Sequence, residues 1–138
     1  MKSLVFTIIY FLSFQFSFSQ VSTIENIKAF YGEEWYDKEL RENPQFINIL
    51  NLYIEKGFRV IDVSPGKYNE LTPLTEIKLT SKTNQTISIQ QFLTAYESGN
   101  FNPLVYQFLP TNETQVFKLE GFDKIIYIES FSYLLNVD

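Results

Sequence analysis

A chain of 138 residues, 45% of them hydrophobic, is long enough for one domain with a real core and too short for two. It holds neither histidine nor cysteine, which excludes Ser-His-Asp and Cys-His catalysis and any disulfide, and removes the usual ligands of zinc, copper and non-haem iron. No metal or cofactor is expected, and because the net charge is −5 with no cluster of Lys and Arg to offset it, no nucleic acid is expected as a partner either.

The chain opens with Lys2, a continuous apolar run over residues 4–12, and small residues at Ser17 and Ser19. This is the three-part layout of a secretory signal peptide. Cleavage after Ser19 makes Gln20 the new N-terminus and residues 20–138 a single domain. The segment also alternates Phe14, Phe16 and Phe18 with Ser and Gln, as a half-buried strand does. The leader reading explains Ser17 and Ser19 as the small residues a signal peptidase requires. Residues 4–18 fall short of the roughly 20 apolar residues that span a bilayer, and no later run is longer, so no stable membrane span is expected after cleavage. The expectation is an exported protein, periplasmic or extracellular. Only two alanines, Ala29 and Ala95, and a richness in Asn, Ile, Lys, Phe and Tyr resemble coding from an AT-rich bacterial genome.

Ser22 and Glu25 form a capping box for a short helix whose face carries Ile24, Ile27 and Tyr31, closed by Gly32. A second short helix fits the charged stretch 33–42, with Trp35 and Leu40 as its few apolar contacts. Asn43 then caps and Pro44 suits a first helical position. The helix over 44–56 has the clearest stripe, Phe46, Ile47, Leu50, Tyr53 and Ile54, and Gly57 ends it. Residues 58–63 (FRVIDV) read as a strand, 64–73 as a loop broken by Pro65, Gly66 and Pro73, and 75–80 (TEIKLT) as an alternating strand. After the polar turn 81–86, Ser88 and Gln91 make another capping box for a helix through Phe92, Leu93 and Tyr96 that stops at Gly99. Residues 104–109, 116–120 and 125–133 read as three consecutive antiparallel strands.

Helices grouped at one end with a mostly antiparallel sheet define an α+β fold, with N-terminal helices packed on a curved sheet of about five strands. In element order and length the chain is similar to the cone-shaped folds of the NTF2-like superfamily. That resemblance implies a bent sheet and N-terminal helices enclosing a pocket. The acid-base residues of catalytic members include a histidine, which this chain lacks, so the resemblance points to a binding relative.

Several short patterns bear on chemistry. Ser64-Pro65-Gly66-Lys67 matches the serine–lysine spacing of penicillin-binding proteins, but Pro-Gly favours a turn over the required helix start. Glu33, Glu34 and Asp37 cluster beside Trp35 and Tyr36, an arrangement suited to binding a sugar or a partner. Pairs Glu34–Lys38 and Asp37–Arg41 at i,i+4 spacing also suit a solvated helix face. Trp35, Tyr36, Glu33 and Glu34 are the candidate binding residues, with the two rings as the exposed aromatics. Asp62 and Glu129 fall within apolar strands; alternation places them toward solvent, the other reading being a carboxylate in a pocket. The triplets beginning at Asn84 and Asn112 fit the N-glycosylation sequon in predicted turns, which matters for a eukaryotic source. Phe92, Tyr96, Tyr106, Phe108, Phe117, Tyr127, Phe131 and Tyr133 read as mostly core.

No catalytic motif emerges, and the chain is not expected to be an enzyme. The expected function is a binding module whose partner is a protein or a cell-envelope component. The alternatives are a carrier or sensor with an apolar, tyrosine-lined pocket for a small ligand, and a hydrolase using carboxylates alone.

Overall fold

The structure is a computed structural model and describes residues 23–80, 84–99 and 101–136. The leader, the Ser22 half of the first capping box and part of the 81–86 turn lie outside the described residues.

Among the described residues three helices come first: α1 (Thr23–Tyr31), α2 (Glu33–Glu42) and α3 (Pro44–Leu52). Gly32 separates the first two with φ +95°, a left-handed value that suits glycine, and its N–H closes α1 on the Lys28 carbonyl at 2.8 Å. Asn43 separates the next two, its N–H capping Glu39 at 2.7 Å, and Pro44 starts α3 as expected. The predicted stripe of α3 faces inward: Ile47 and Leu50 are buried, as is Tyr53 just beyond, while Phe46 and Ile54 are half-buried.

The expected run to Gly57 is helical, but its last turn, Tyr53–Gly57, is wider. Phe58 N–H bonds back five residues to Tyr53, a π-type closure that feeds the chain into β1 with no loop. Gly57 fits there because a Cβ would meet Leu134 Cδ2 and Tyr53 Cδ2, each at 3.2 Å.

The fold is α+β. Strand β1 (Phe58–Asp62) pairs antiparallel with β6 (Lys124–Ile128), Val60 opposite Ile126. β6 pairs antiparallel with β5 (Gln115–Leu119), and the two-residue β2 (Pro73–Leu74) joins β5 in parallel. The four-stranded order is β1-β6-β5-β2. Its inner face carries Phe58, Ile128, Ile126 and Leu119 into the core. A separate hairpin, β3 (Glu76–Lys78) with β4 (Thr86–Ser88), leads into α4 (Ile89–Glu97). The Ser88–Gln91 capping box forms in both directions, Ser88 Oγ accepting from Gln91 N at 3.1 Å and Gln91 Oε1 from Ser88 N at 2.9 Å. Ser64–Lys67 is a turn, with Lys67 N–H on the Ser64 carbonyl at 3.0 Å. Pro65 sits second and Gly66 third at φ +83°, as a type II turn demands.

Two expected strands change character. Residues 104–109 begin as a 3-10 turn, Pro103–Val105, and continue extended with a single bridge between Tyr106 and Leu79. Their alternation survives, since Leu104, Tyr106 and Phe108 are buried. Two backbone bonds flank that bridge, Thr80 N–H to the Val105 carbonyl at 2.8 Å and Gln107 N–H to the Lys78 carbonyl at 3.2 Å, and side chains hold the rest: Thr80 Oγ1 donates to the Leu104 carbonyl at 2.6 Å and the Tyr53 hydroxyl donates to the Phe108 carbonyl. The expected strand 125–133 stops at Ile128. Ser130 caps a short helix, α5 (Phe131–Leu135), by accepting from Tyr133 N–H at 3.3 Å, and this helix buries Leu134 completely. The C-terminal part is therefore a hairpin followed by a helix. Three of the predicted core rings sit elsewhere: Tyr133 is 52% exposed, and Tyr127 and Phe131 are half-buried outside the core cluster.

Candidate functional site

The four candidate residues lie on the first turn of α2, and the structure separates them. Glu33 and Glu34 are exposed. Glu33 receives Lys28 at 3.4 Å, the lysine that also sits 5.1 Å above the Tyr36 ring. Tyr36 itself is 6% exposed, which corrects its reading as an exposed aromatic. One turn has a single inward direction, and Tyr36 takes it. Trp35, one residue earlier, is half-buried and lies flat on Tyr31, ring centres 4.0 Å apart and planes 18° from parallel. Its edge meets Phe46 at 6.2 Å and 77°. The ion pair formed on α2 is Lys38–Glu42 at 3.9 Å, so among the described residues Glu34 and Asp37 have no cation within ion-pair distance. Acids dominate the helix, five carboxylates against two cations, and all but the half-buried Glu39 are exposed.

The Trp35–Tyr31 stack backs an apolar cleft of about 120 Å³. Tyr31 from α1, Phe46, Ile49 and Leu50 from α3, Leu109 and Pro110 from the extended segment, and Phe131 from α5 line it. Each wall has a local cause. Gly32 turns the chain after Tyr31. The Pro44 start sets Phe46 and Ile49 on the side of α3 that leads to the surface. The Phe131 N–H bonds to the Thr111 carbonyl at 2.8 Å and draws α5 against the Leu109-Pro110 segment. Leu109 remains 41% exposed at the mouth.

Burial raises the Tyr31 phenol above its ordinary value, and burial followed by the nearness of Tyr31 raises Tyr53 further. Both rings are therefore neutral in ordinary buffers. The lining holds no carboxylate, lysine or arginine. Chemically, the cleft can bury an apolar group.

The two strand carboxylates part company. Asp62 is on the solvent side as expected, paired with Lys124, whose ammonium pKa it raises. Glu129 is 7% exposed, against the expectation of a solvent position, because β6 ends one residue before it. It accepts from Arg59 Nη2 at 2.8 Å, and that guanidinium lies 4.8 Å from the centre of the Tyr127 ring. This is a closed clamp between neighbouring strands. Asn84 and Asn112, the sequon asparagines, are both exposed. Among the described residues no group of three or more Asp or Glu side chains could hold a metal ion, and no helix is long and apolar enough to cross a membrane.

The cleft was not legible from the sequence. Phe46 read as part of a core stripe, Leu109 and Phe131 as strand residues. The one available signal was the four-residue spacing of Tyr31 and Trp35 across Gly32.

No family model, no curated protein and no solved structure matches the chain. The likeness to NTF2-like proteins thus rests on element order alone, and the described sheet is not a closed barrel.

Proposed function

We propose that this chain is an exported, non-catalytic binding module of the bacterial periplasm or cell surface, and that it engages a protein or a cell-envelope component through the cleft beside Trp35. The observation that carries this reading is the cleft itself, uncharged and predominantly apolar in its lining, with Trp35 stacked on the lining ring of Tyr31. Half-buried aromatic rings around a small apolar recess are the usual anchor sites of protein interfaces. The volume argues against a carrier of small molecules, whose pockets run to about 300–1,000 Å³. A carboxylate-only hydrolase gains no support from a lining without a carboxylate.

Export is supported by the leader pattern of residues 2–19. N-terminal sequencing of the protein recovered from outside the cytoplasm should begin at Gln20; a chain that still begins at Met1 contradicts it. For binding, the protein starting at Gln20 is used to capture partners from envelope extract, beside an Ile49→Trp variant that fills the cleft. A partner captured by the first and lost by the second supports the reading. Identical captures by the two proteins contradict it.

A further inference from the structure

The four-stranded sheet has two outer strands, and they end it differently. β2 is two residues long and begins with Pro73, features that blunt an edge against further pairing. β1, at the other end, has five residues and no proline. Charges that project over an edge also block it. Both charges of β1 are instead tied within the sheet, Arg59 to Glu129 at 2.8 Å and Asp62 to Lys124.

Strand parity fixes which backbone groups β1 leaves open. The Gly57 carbonyl accepts from Glu129 N–H at 2.9 Å, and Val63 N–H donates to the Asp123 carbonyl at 3.0 Å. The backbone groups of the odd-numbered residues therefore point to β6, and those of Phe58, Val60 and Asp62 point outward. Phe58 N–H is taken by the Tyr53 carbonyl across the π-type turn, which closes that end of the edge. Among the described residues, the N–H and C=O groups of Val60 and Asp62 have no backbone partner. These four groups are self-complementary. A two-fold axis at Ile61 sets Val60 of one copy opposite Asp62 of the other, so that each N–H meets a carbonyl and four hydrogen bonds close. The same axis sets Ile61 against Ile61. Its neighbour on β6 is Ile125, which is 2% exposed yet lies outside the core cluster, on the outer face of the sheet. An apolar row of four isoleucines then crosses the junction, and each Asp62 lies beside a valine rather than beside the other Asp62. An axis at Val60 would need the Phe58 N–H that Tyr53 already holds.

We infer that two copies of this chain join β1 to β1, antiparallel, through a two-fold axis at Ile61, into one continuous sheet. The surface is separate from the cleft beside Trp35. Four bonds and one apolar pair make a short contact, so the dimer is weak and its population rises with concentration.

Sedimentation of the chain starting at Gln20, over about a hundredfold range of concentration, should show monomer passing to dimer. Asp62→Pro removes an outward N–H and costs the monomer no ladder bond. It should raise the dimer dissociation constant at least about tenfold, while the thermal midpoint of the dilute protein stays close to that of the parent. Ile61→Lys sets two like charges face to face and should give the same loss should the proline disturb the strand end. The chain has no cysteine, so an introduced one reports the register. The two copies of Ile61 form a non-hydrogen-bonded pair with Cα atoms about 4.5 Å apart, within reach of a disulfide. The exposed Ser64 lies about 20 Å from its counterpart in the same register. Ile61→Cys should therefore cross-link under mild oxidation at least about tenfold faster than Ser64→Cys.

A chain that stays monomeric across the range overturns the inference. So does a dimer that survives both edge variants, or one that Ile49→Trp dissolves, because the cleft then carries the contact. Equal cross-linking at the two cysteines overturns the register and the pairing with it. A monomeric chain whose captured envelope partner is lost on Asp62→Pro also overturns it, since a strand of another protein then occupies the edge.

Discussion

The described residues form two aromatic clusters, and their ring geometry is much alike. In the interior, Phe58 meets Tyr53, Phe92, Phe101 and Phe108 at centre distances of 5.2–6.3 Å, and Phe101 stacks on Tyr106 at 5.2 Å. Near the surface, Tyr31 meets Phe30 at 4.8 Å and Trp35 at 4.0 Å, and Trp35 meets Phe46 at 6.2 Å. The difference lies in what covers them. The interior rings come from the turn before β1, β1 itself, α4 and the 101–108 segment, so elements distant in sequence close over them, leaving Tyr53, Phe58, Phe92 and Phe108 at most 5% exposed and Phe101 half-buried at the edge. The surface rings come from one continuous stretch, residues 30–46, and all four are half-buried. Elements distant in sequence seal the first cluster, whereas a local cluster keeps an open side. Two of its rings, Tyr31 and Phe46, line the cleft.

Substitutions should separate the clusters sharply. Phe92→Ala removes a fully buried ring from the centre of the interior cluster. The lost contacts and the cavity left behind should cost about 3–5 kcal/mol in urea unfolding. A loss under about 1 kcal/mol would mean that the interior rings are as loosely held as the surface ones.

Tyr53 joins the clusters. Its ring meets Phe58 edge-on, its hydroxyl donates to the Phe108 carbonyl, and the nearness of Tyr31 adds to the burial that opposes its ionisation. Tyr53→Phe leaves a buried carbonyl without its donor and should cost about 1–3 kcal/mol. The pH dependence has a definite sign. The Tyr53 pKa is raised by burial and then by Tyr31, so the stability held in its protonated form is complete below the ordinary phenol value near 10. That stability is lost as pH climbs above 10. Tyr53→Phe should therefore flatten the alkaline decline of stability. Some slope should remain, because burial also raises Tyr31 and Tyr106. An unchanged alkaline limb would show that the phenol is not sequestered.

The sequence speaks most clearly where a structure depends on near neighbours. The Ser88–Gln91 box, the Pro44 start, the inward stripe of α3 and the Pro65-Gly66 turn each depend on residues within a few positions, and all four form. Local pattern misleads where a distant side chain intervenes. Residues 104–109 alternate like a strand, but Tyr53 and Thr80 satisfy their carbonyls from elsewhere in the chain. After Ile128 the apolar run continues on paper, and the Ser130 cap turns it into a helix. Tyr36 and Trp35 are equal in composition terms; only the rotation of α2 about its axis decides which is buried. The cleft was hidden for the same reason, since its walls come from four separate segments.

The surface cluster should tolerate loss better than the interior one. Trp35→Ala removes a half-buried ring together with its stack on Tyr31, for about 1–2 kcal/mol by thermal unfolding. Trp35→Phe should recover much of this. A cost equal to that of Phe92→Ala would place Trp35 in the core and remove the distinction between the clusters.

The smallest effect is expected from the charges around the surface cluster. Glu33 pairs with Lys28 at 3.4 Å, with 75% of the Glu33 side chain and 33% of the Lys28 side chain exposed. Pairs that open to water contribute about 0–1 kcal/mol, and salt screens them. Glu33→Gln should shift stability by less than about 0.5 kcal/mol, and Lys28→Ala by more, because that lysine also covers the Tyr36 ring. If both hold, the carboxylates of α2 contribute little to folding while giving the helix like-charge repulsion.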